Sequence, residues 1–307
     1  MKIAVPDLIS NSYFPAIAAV ELGFFKREGL DMTLEHIFPV DRAYEDMRDG
    51  KLDFVAGTAH GVPPTFPGWR GARLLAALAQ GMYWCLVLRA DLGAKRGEVA
   101  AVKGLHIGAA PVVEQGLRGL LAEAGIDIKA DKVRIAPVPA AAEPGVSFGL
   151  AAAQALEDKK LDGFWANAMG AETAVRSGVG TVVLDVRRGD GPPAAFSYTM
   201  PALVTTEAMI ESDPETAAAA VRAIVATQRA LKADVGLATE VGRKLFPPGD
   251  AEMIADVVAR DLPYYDAAIS EDSIAGLNRF TRDMGLVDFD PAYDQVVATQ
   301  FSHLWAG

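Results

Sequence analysis

The sequence is poor in the residues that usually carry metal or redox chemistry. One cysteine, Cys85, stands among 307 residues, so no internal disulfide can form. Histidines occur only at 36, 60, 106 and 303, without the close spacing that a structural zinc site needs. No metal, no cofactor and no catalytic residue is therefore expected. No stretch comes near 18 consecutive apolar residues, which argues against direct membrane insertion. Positive charge is also short: Lys+Arg 29 against Asp+Glu 40 leaves a formal charge of -11. Such a surface repels nucleic acid and anionic membranes at long range, so neither is expected as a partner. Residues 1–6 read straight into a strand, with no basic start, apolar core or cleavage site, so no signal peptide is expected in the chain as given, and the expectation is either a cytoplasmic protein or one whose signal has been removed. A phosphate-binding loop is absent, and no strained nucleophile elbow is expected.

What is present fits a folded, soluble, two-domain chain. At about 150 residues per domain, the length suggests two units, each able to bury its own core. Apolar residues make up 51% and charged residues 22%, which excludes disorder and collagen-like repetition. Short apolar runs alternate with amphipathic stretches. Residues 2–6 read as a strand, 7–13 as a polar loop, and a helix follows with Pro15 in its first turn. Further strands are expected at 31–38 and 52–56, while 72–79 and 84–88 are apolar runs separated by Gln80-Gly81-Met82.

The same grammar then repeats: strand 105–109, helix 112–124, strand 133–138, helix 148–157, strand 161–165. Glu28-Gly29-Leu30-Asp31 has its counterpart in Ala124-Gly125-Ile126-Asp127, and Lys51-Leu52-Asp53 in Lys160-Leu161-Asp162. An internal duplication follows from these matched positions. Strands alternating with helices imply mostly parallel sheets, so the fold class is α/β in two lobes. Residues 1–88 plus 198–307 are expected to form the first lobe and 89–197 the second, with the polar stretch 91–104 as a connection and the ligand cleft between the lobes. Asp213 and Pro214 mark the start of a long helix.

Pro15-Ala-Ile-Ala-Ala-Val-Glu-Leu-Gly-Phe-Phe-Lys-Arg-Glu-Gly-Leu-Asp31 resembles the opening of the nitrate/sulfonate/taurine-type solute-binding proteins, a group that includes thiamine-precursor-synthesis-like proteins. Met47-Arg-Asp-Gly-Lys-Leu-Asp53, Val102-Lys-Gly-Leu-His-Ile-Gly108 and Gln154-Ala-Leu-Glu-Asp-Lys-Lys-Leu-Asp-Gly163 follow in the family's order. The resemblance implies a type 2 periplasmic-binding-protein fold, a small organic ligand, an ABC-type membrane permease as partner and a periplasmic location. The cysteine cluster of the eukaryotic thiamine-precursor enzymes is absent, which argues against their self-consuming chemistry.

In open α/β sheets, ligands collect at the carboxyl ends of strands. That rule selects Ser10, Asn11 and Ser12, whose hydroxyls and amide, beside the amides of the following helix, suit a polar ligand such as an anion or else ordinary capping. It also selects Tyr13, which either stacks on a ligand or staples the helix start, and Thr58 with His60. Trp84 and Tyr198 lie at the expected crossovers, and Trp165 and Asn167 end a strand of the second lobe. Glu114 opens a helix, where a carboxylate is favoured by the dipole with or without a ligand amine. None of these loops holds Arg or Lys, while aromatics are frequent, so the expected ligand is flat, aromatic or heteroaromatic, and held by rings with a few hydrogen bonds.

The leading expectation is a non-enzymatic solute-binding protein. The alternatives are a cytoplasmic enzyme on the same scaffold, decarboxylase-like or thiamine-precursor-synthesis-like, and a ligand sensor that docks on a regulatory protein.

Overall fold

The computed structural model describes residues 1–138, 141, 143 and 145–306. The chain forms two compact units, Met1–Gly81 with Ser197–Gly307, and Met82–Phe196.

The first unit is built on a five-stranded sheet in the order β2-β1-β3-β10-β4. β1 (Lys2–Val5) lies parallel to β2 (Thr33–His36) and β3 (Phe54–Thr58), while β10 (Pro201–Thr206) runs antiparallel between β3 and β4 (Ala72–Ala77). Apolar β1 and β3 are buried along almost their whole length, as central strands covered on both faces must be. Pro15 starts α1 (Phe14–Glu21), which buries Phe14, Ile17 and Ala18. α2 (Phe24–Arg27) and α3 (Val40–Arg48) complete the first crossovers.

After β10 the unit is helical: α7 (Glu207–Ser212), α8 (Pro214–Ala233), α9 (Gly236–Leu245), α10 (Pro248–Asp261), α11 (Glu271–Asp283) and α12 (Tyr293–Val296). α8 begins as the sequence indicates, with Asp213 Oδ1 accepting the Thr216 N–H at 3.1 Å and Pro214 in the first turn. Val221, Ile224 and Leu231 on its inner face are fully buried, each contributing about 1.5–3 kcal/mol of burial free energy.

The second unit carries the order β7-β6-β8-β5-β9, from β5 (Cys85–Arg89), β6 (His106–Ala109), β7 (Arg134–Ala136), β8 (Gly163–Ala166) and β9 (Gly180–Asp185). Its helices are α4 (Glu114–Glu123), α5 (Phe148–Glu157) and α6 (Ala168–Arg176). β5 runs antiparallel between β8 and β9, so residues 82–88 belong to this unit. The chain therefore changes unit at Gly81 and Met82, before β5, and not after Leu88 as the sequence reading had it. The stretch 91–104 is likewise internal to the second unit: Gly97 N–H bonds the Val183 carbonyl and Gly104 N–H bonds that of Asp131.

The two sheets share one plan. In each, a strand contributed from the far side of the crossover lies antiparallel beside the third parallel strand, and each carries a register shift, at Leu203/Val204 and at Leu86/Val87. The matched sequence segments occupy matched positions. Asp53 Oδ2 accepts the Lys2 N–H at 2.7 Å and Asp162 Oδ2 the His106 N–H at 2.9 Å, so each carboxylate ties the start of the first strand to that of the third. Gly29 (φ 83°) and Gly125 (φ 76°) end the preceding helices in the left-handed conformation, which glycine adopts without steric cost.

Helix α6 is the element the sequence reading passed over. Gly170 in its first turn weakens the helical signal, yet a Cβ there would stand 2.7 Å from both the Cα and the carbonyl oxygen of Gly149 in α5. The glycine pair lets the two backbones touch.

Candidate functional site

The carboxyl edge of the first sheet gathers most of the residues selected from the sequence. Ser10, Asn11, Ser12 and Tyr13 fill the loop from β1 to α1 and are all buried. The Tyr13 carbonyl accepts from both Ala16 N–H (3.0 Å) and Ile17 N–H (3.2 Å), while Pro15 has no N–H to offer. Ser12 N–H donates to Ser10 Oγ at 3.3 Å. Asn11 is held from two sides: its Nδ2 donates to the carboxylate of Asp261 at the end of α10, and its carbonyl accepts the Tyr265 hydroxyl at 2.6 Å. Asn11 Oδ1 and Ser12 Oγ are buried and have no partner among the described residues.

At the end of β3, Thr58 Oγ1 lies 2.9 Å from His60 Nδ1 and 2.9 Å from Thr199 Oγ1, which also accepts the His60 N–H at 3.3 Å. All three are buried. The pairing Pro201↔Thr58 brings the start of β10, and Tyr198 before it, to this edge. Tyr198 stacks on Phe280 of α11 with centroids 4.5 Å apart, and His60 meets the same ring edge-on at 5.5 Å. The first unit thus joins hydroxyls, an imidazole, an amide and aromatic faces at one sheet edge.

In the second unit the same edge is aromatic. β5 enters at the carboxyl ends of β8 and β9, so Trp84 meets Trp165 at 6.0 Å and Tyr83 at 4.8 Å. Gly116 of α4 makes room: a Cβ there would lie 2.8 Å from Trp84 Cζ3. Trp165 is fully buried and its Nε1 has no partner among the described residues. Asn167 caps α6, its Oδ1 accepting from Met169 N–H (3.0 Å) and Gly170 N–H (3.3 Å). That carbonyl is committed to the helix. Glu114 pairs with Arg118 one turn along α4 at 3.3 Å, an ordinary helical pair. Val112, in the loop ahead of α4, has φ 67°, which is uncommon for a β-branched residue and a mark of local strain.

Three kinds of residue escaped the sequence reading. Asp261, Tyr265 and Phe280 reach the first edge from the C-terminal helices, more than 200 residues away, where no local pattern marks them. Arg187, just after β9, is 3% exposed with its guanidinium 5.6 Å over the Tyr83 ring. The second edge therefore does hold a cation, although the selected loops contain none. Gly145-Val-Ser-Phe-Gly149 has the spacing of a nucleophile elbow, but Ser147 is the N-cap of α5 at φ −72°, ψ 128°. An elbow needs a strained strand-to-helix turn, so the motif carries no catalytic signal.

A cavity of about 770 Å³ lies elsewhere in the second unit, lined by His106, Arg134, Val138, Val146, Gln154 and Leu161 among others. It contains none of the residues selected from the sequence. No group of three or more His, Cys, Asp or Glu side chains suited to a metal ion occurs among the described residues, and no helix described is long and apolar enough to cross a membrane.

No curated protein matches the chain. Among solved structures, a protein from Bordetella bronchiseptica is similar at TM-score 0.78 and 22% identity, over 98% of this chain and 95% of that one. The alkanesulfonate-binding protein SsuA from Xanthomonas axonopodis pv. citri, bound to MOPS, is similar at TM-score 0.71 and 13% identity, over 98% and 96%. A mutant of DSZB in complex with biphenyl-2-sulfinic acid is similar at TM-score 0.65 and 17% identity, over 98% and 97%. At these identities the likeness establishes a shared fold, the α/β plan with two five-stranded sheets. The family model described as NMT1/THI5 like matches residues 10–234, well over half of the sequence, and the chain belongs to that family.

Proposed function

We propose that this protein is a non-enzymatic solute-binding protein that holds a small organic molecule with a flat ring and delivers it to an ABC-type permease. The observation that carries this reading is the pair of buried side-chain oxygens, Asn11 Oδ1 and Ser12 Oγ, without partners at the sheet edge where α/β folds take ligands. Buried polar atoms are nearly always satisfied, and an orphaned one costs about 1–3 kcal/mol, so a bound molecule that pairs with both would recover that cost. Tyr13, Tyr198 and His60 supply ring faces at the same edge, and Thr58 its hydroxyl. In the second unit the corresponding edge carries the Trp84 and Trp165 rings, the Asn167 amide and the Glu114 carboxylate, which we propose as ligand contacts of that unit. Family membership and the fold shared with SsuA support the permease partner and an exported, periplasmic location.

The test is a thermal-shift screen of aromatic acids, pyrimidines, sulfonates and amines, with native mass spectrometry of the purified protein. A solute at about 100 times its Kd should stabilise by about 2.7 kcal/mol. No stabilisation by any class, with no small molecule carried by the protein, would refute the reading. The enzyme alternative rests on the fold shared with DSZB, which a related structure describes as a desulfurization enzyme. Turnover of a bound compound in the same screen would favour it.

A further inference from the structure

We propose that Asn11 reads an N–H donor on the solute, with Asp261 as the positioning residue that holds the amide so that its oxygen faces the ligand. This rests on the solute-binding reading and narrows its ligand to a nitrogen compound that carries a donor.

The orientation of Asn11 is decided by its neighbour. A carboxylate oxygen accepts hydrogen bonds and cannot donate them, so the amide nitrogen must face Asp261, and it does. Tyr265 fixes the backbone of the same residue by donating to its carbonyl. Turning the side chain over would set oxygen against oxygen in a buried place, since Asn11 and Asp261 are each 1% exposed. Oδ1 is therefore presented as an acceptor and has no donor among the described residues. A ligand N–H or O–H satisfies it, and beside the Asp261 carboxylate a nitrogen donor, which can carry positive charge, is favoured over a hydroxyl.

The neighbouring helix points the same way. An oxyanion would be held at the start of α1 by free backbone N–H groups. Pro15 has none, and those of Ala16 and Ile17 are both spent on the Tyr13 carbonyl, so of the first turn the Phe14 N–H alone remains for such a group. The Asp261 carboxylate bonded to Asn11 adds negative charge to the same place. A group built only of acceptors, such as nitrate or a bare sulfonate, leaves Asn11 Oδ1 unpaired and meets that charge. Ser12 Oγ, which can donate or accept, accommodates the remainder of the ligand's head group.

The experiment uses probe pairs that differ only in the nitrogen donor: 4-aminobenzoate and benzoate, 3-aminopropanesulfonate and propanesulfonate, 2-aminopyridine and pyridine. Each is measured by thermal shift and then by calorimetry on the full chain. The amine-bearing member should bind at least about tenfold more tightly than its partner in every pair that binds, because a buried acceptor rejects an analogue that lacks its donor. In Asp261→Asn the neighbour can itself donate, so Asn11 is free to turn over. That variant should keep binding but lose the discrimination, a change that mere loss of stability would not produce. Equal or tighter binding of the donor-less members overturns the inference and leaves the solute-binding reading standing, as does unchanged discrimination in Asp261→Asn. Absence of binding by all six probes, together with a null result in the wider screen, overturns both.

Discussion

Replacing Gly170 by alanine should destabilise the protein although it improves the local helix. In an exposed helix interior the change would gain about 0.8–1 kcal/mol. Here the new Cβ would stand 2.7 Å from the Cα and carbonyl oxygen of Gly149 and 2.9 Å from its carbonyl carbon, all backbone atoms that cannot swing aside. Relief requires α5 and α6 to part by roughly 1 Å, and overpacking of that kind costs about 1–3 kcal/mol or more. The net expectation is a loss of about 1–2 kcal/mol. Gly149→Ala meets its neighbours at 3.1–3.3 Å and should cost less.

Gly249, in the first turn of α10, is the control. A Cβ there meets nothing within 4 Å and its backbone is not left-handed, so Gly249→Ala should be neutral or gain up to about 1 kcal/mol. Urea unfolding of the three variants gives the comparison. If Gly170→Ala proves as stable as Gly249→Ala, the close crossing of α5 and α6 is wrong. So then is the placement of Asn167, whose cap bonds to Met169 and Gly170 depend on the same helix start.

Three further outcomes follow from the fold. Trp165→Ala should lower unfolding free energy by about 3–5 kcal/mol, because the ring is fully buried, so any effect on solute affinity is to be measured on Trp165→Phe. Asp53→Ala and Asp162→Ala each remove a charge-assisted bond to the first strand of a sheet, worth about 1.5–3 kcal/mol. Chemical denaturation should find both losses, and a cost at one position only would count against the duplicated design. Burial holds His36 below the ordinary histidine range, and burial with the nearby Arg134 does the same for His106. The unfolded chain then takes up these protons first, so the stability they confer is complete above about pH 6.5 and is lost as pH falls toward the folded values. Urea midpoints at about pH 7.5 and 5.5 should show the drop, and a His36→Gln/His106→Gln double variant should show less of it.

What could be read from the sequence is what local chemistry determines. Asp213 before Pro214 marks the start of α8, and the repeated Gly-Leu/Ile-Asp and Lys-Leu-Asp segments mark equivalent turns and strand starts because each makes its bonds within a few residues or to an adjacent strand. β5 defeated the reading for the opposite reason. Its apolar pattern is equally at home in either sheet, and only its pairing with β8 and β9, strands about 80–95 residues further on, assigns it to the second unit. Gly170 misled in another way, since the property that breaks a helix on propensity is the one that allows two helices to touch.

The candidate site divides along the same line. Strand-end topology located Ser10 to Tyr13, Thr58 and His60, because a parallel sheet sends every such loop to one edge whatever its residues, and the expected crossover located Tyr198. It could not say which atom of each side chain faces a ligand. For Asn11 that depends on Asp261, a carboxylate 250 residues away at the end of an otherwise ordinary amphipathic helix. The sequence left Ser10, Asn11 and Ser12 equally suited to an anion or to capping. Once Asp261 takes the Asn11 nitrogen and the Tyr13 carbonyl takes the N–H groups of Ala16 and Ile17, this edge offers fewer donors and presents in Asn11 Oδ1 an acceptor that requires a donor from its ligand. A distant acidic partner thus decides what the loop can recognise. Among proteins built on this edge, those with a carboxylate behind the asparagine should favour nitrogen donors, and those with an amide or a cation there should accept oxyanions. The Asp261→Asn variant makes that comparison within a single chain.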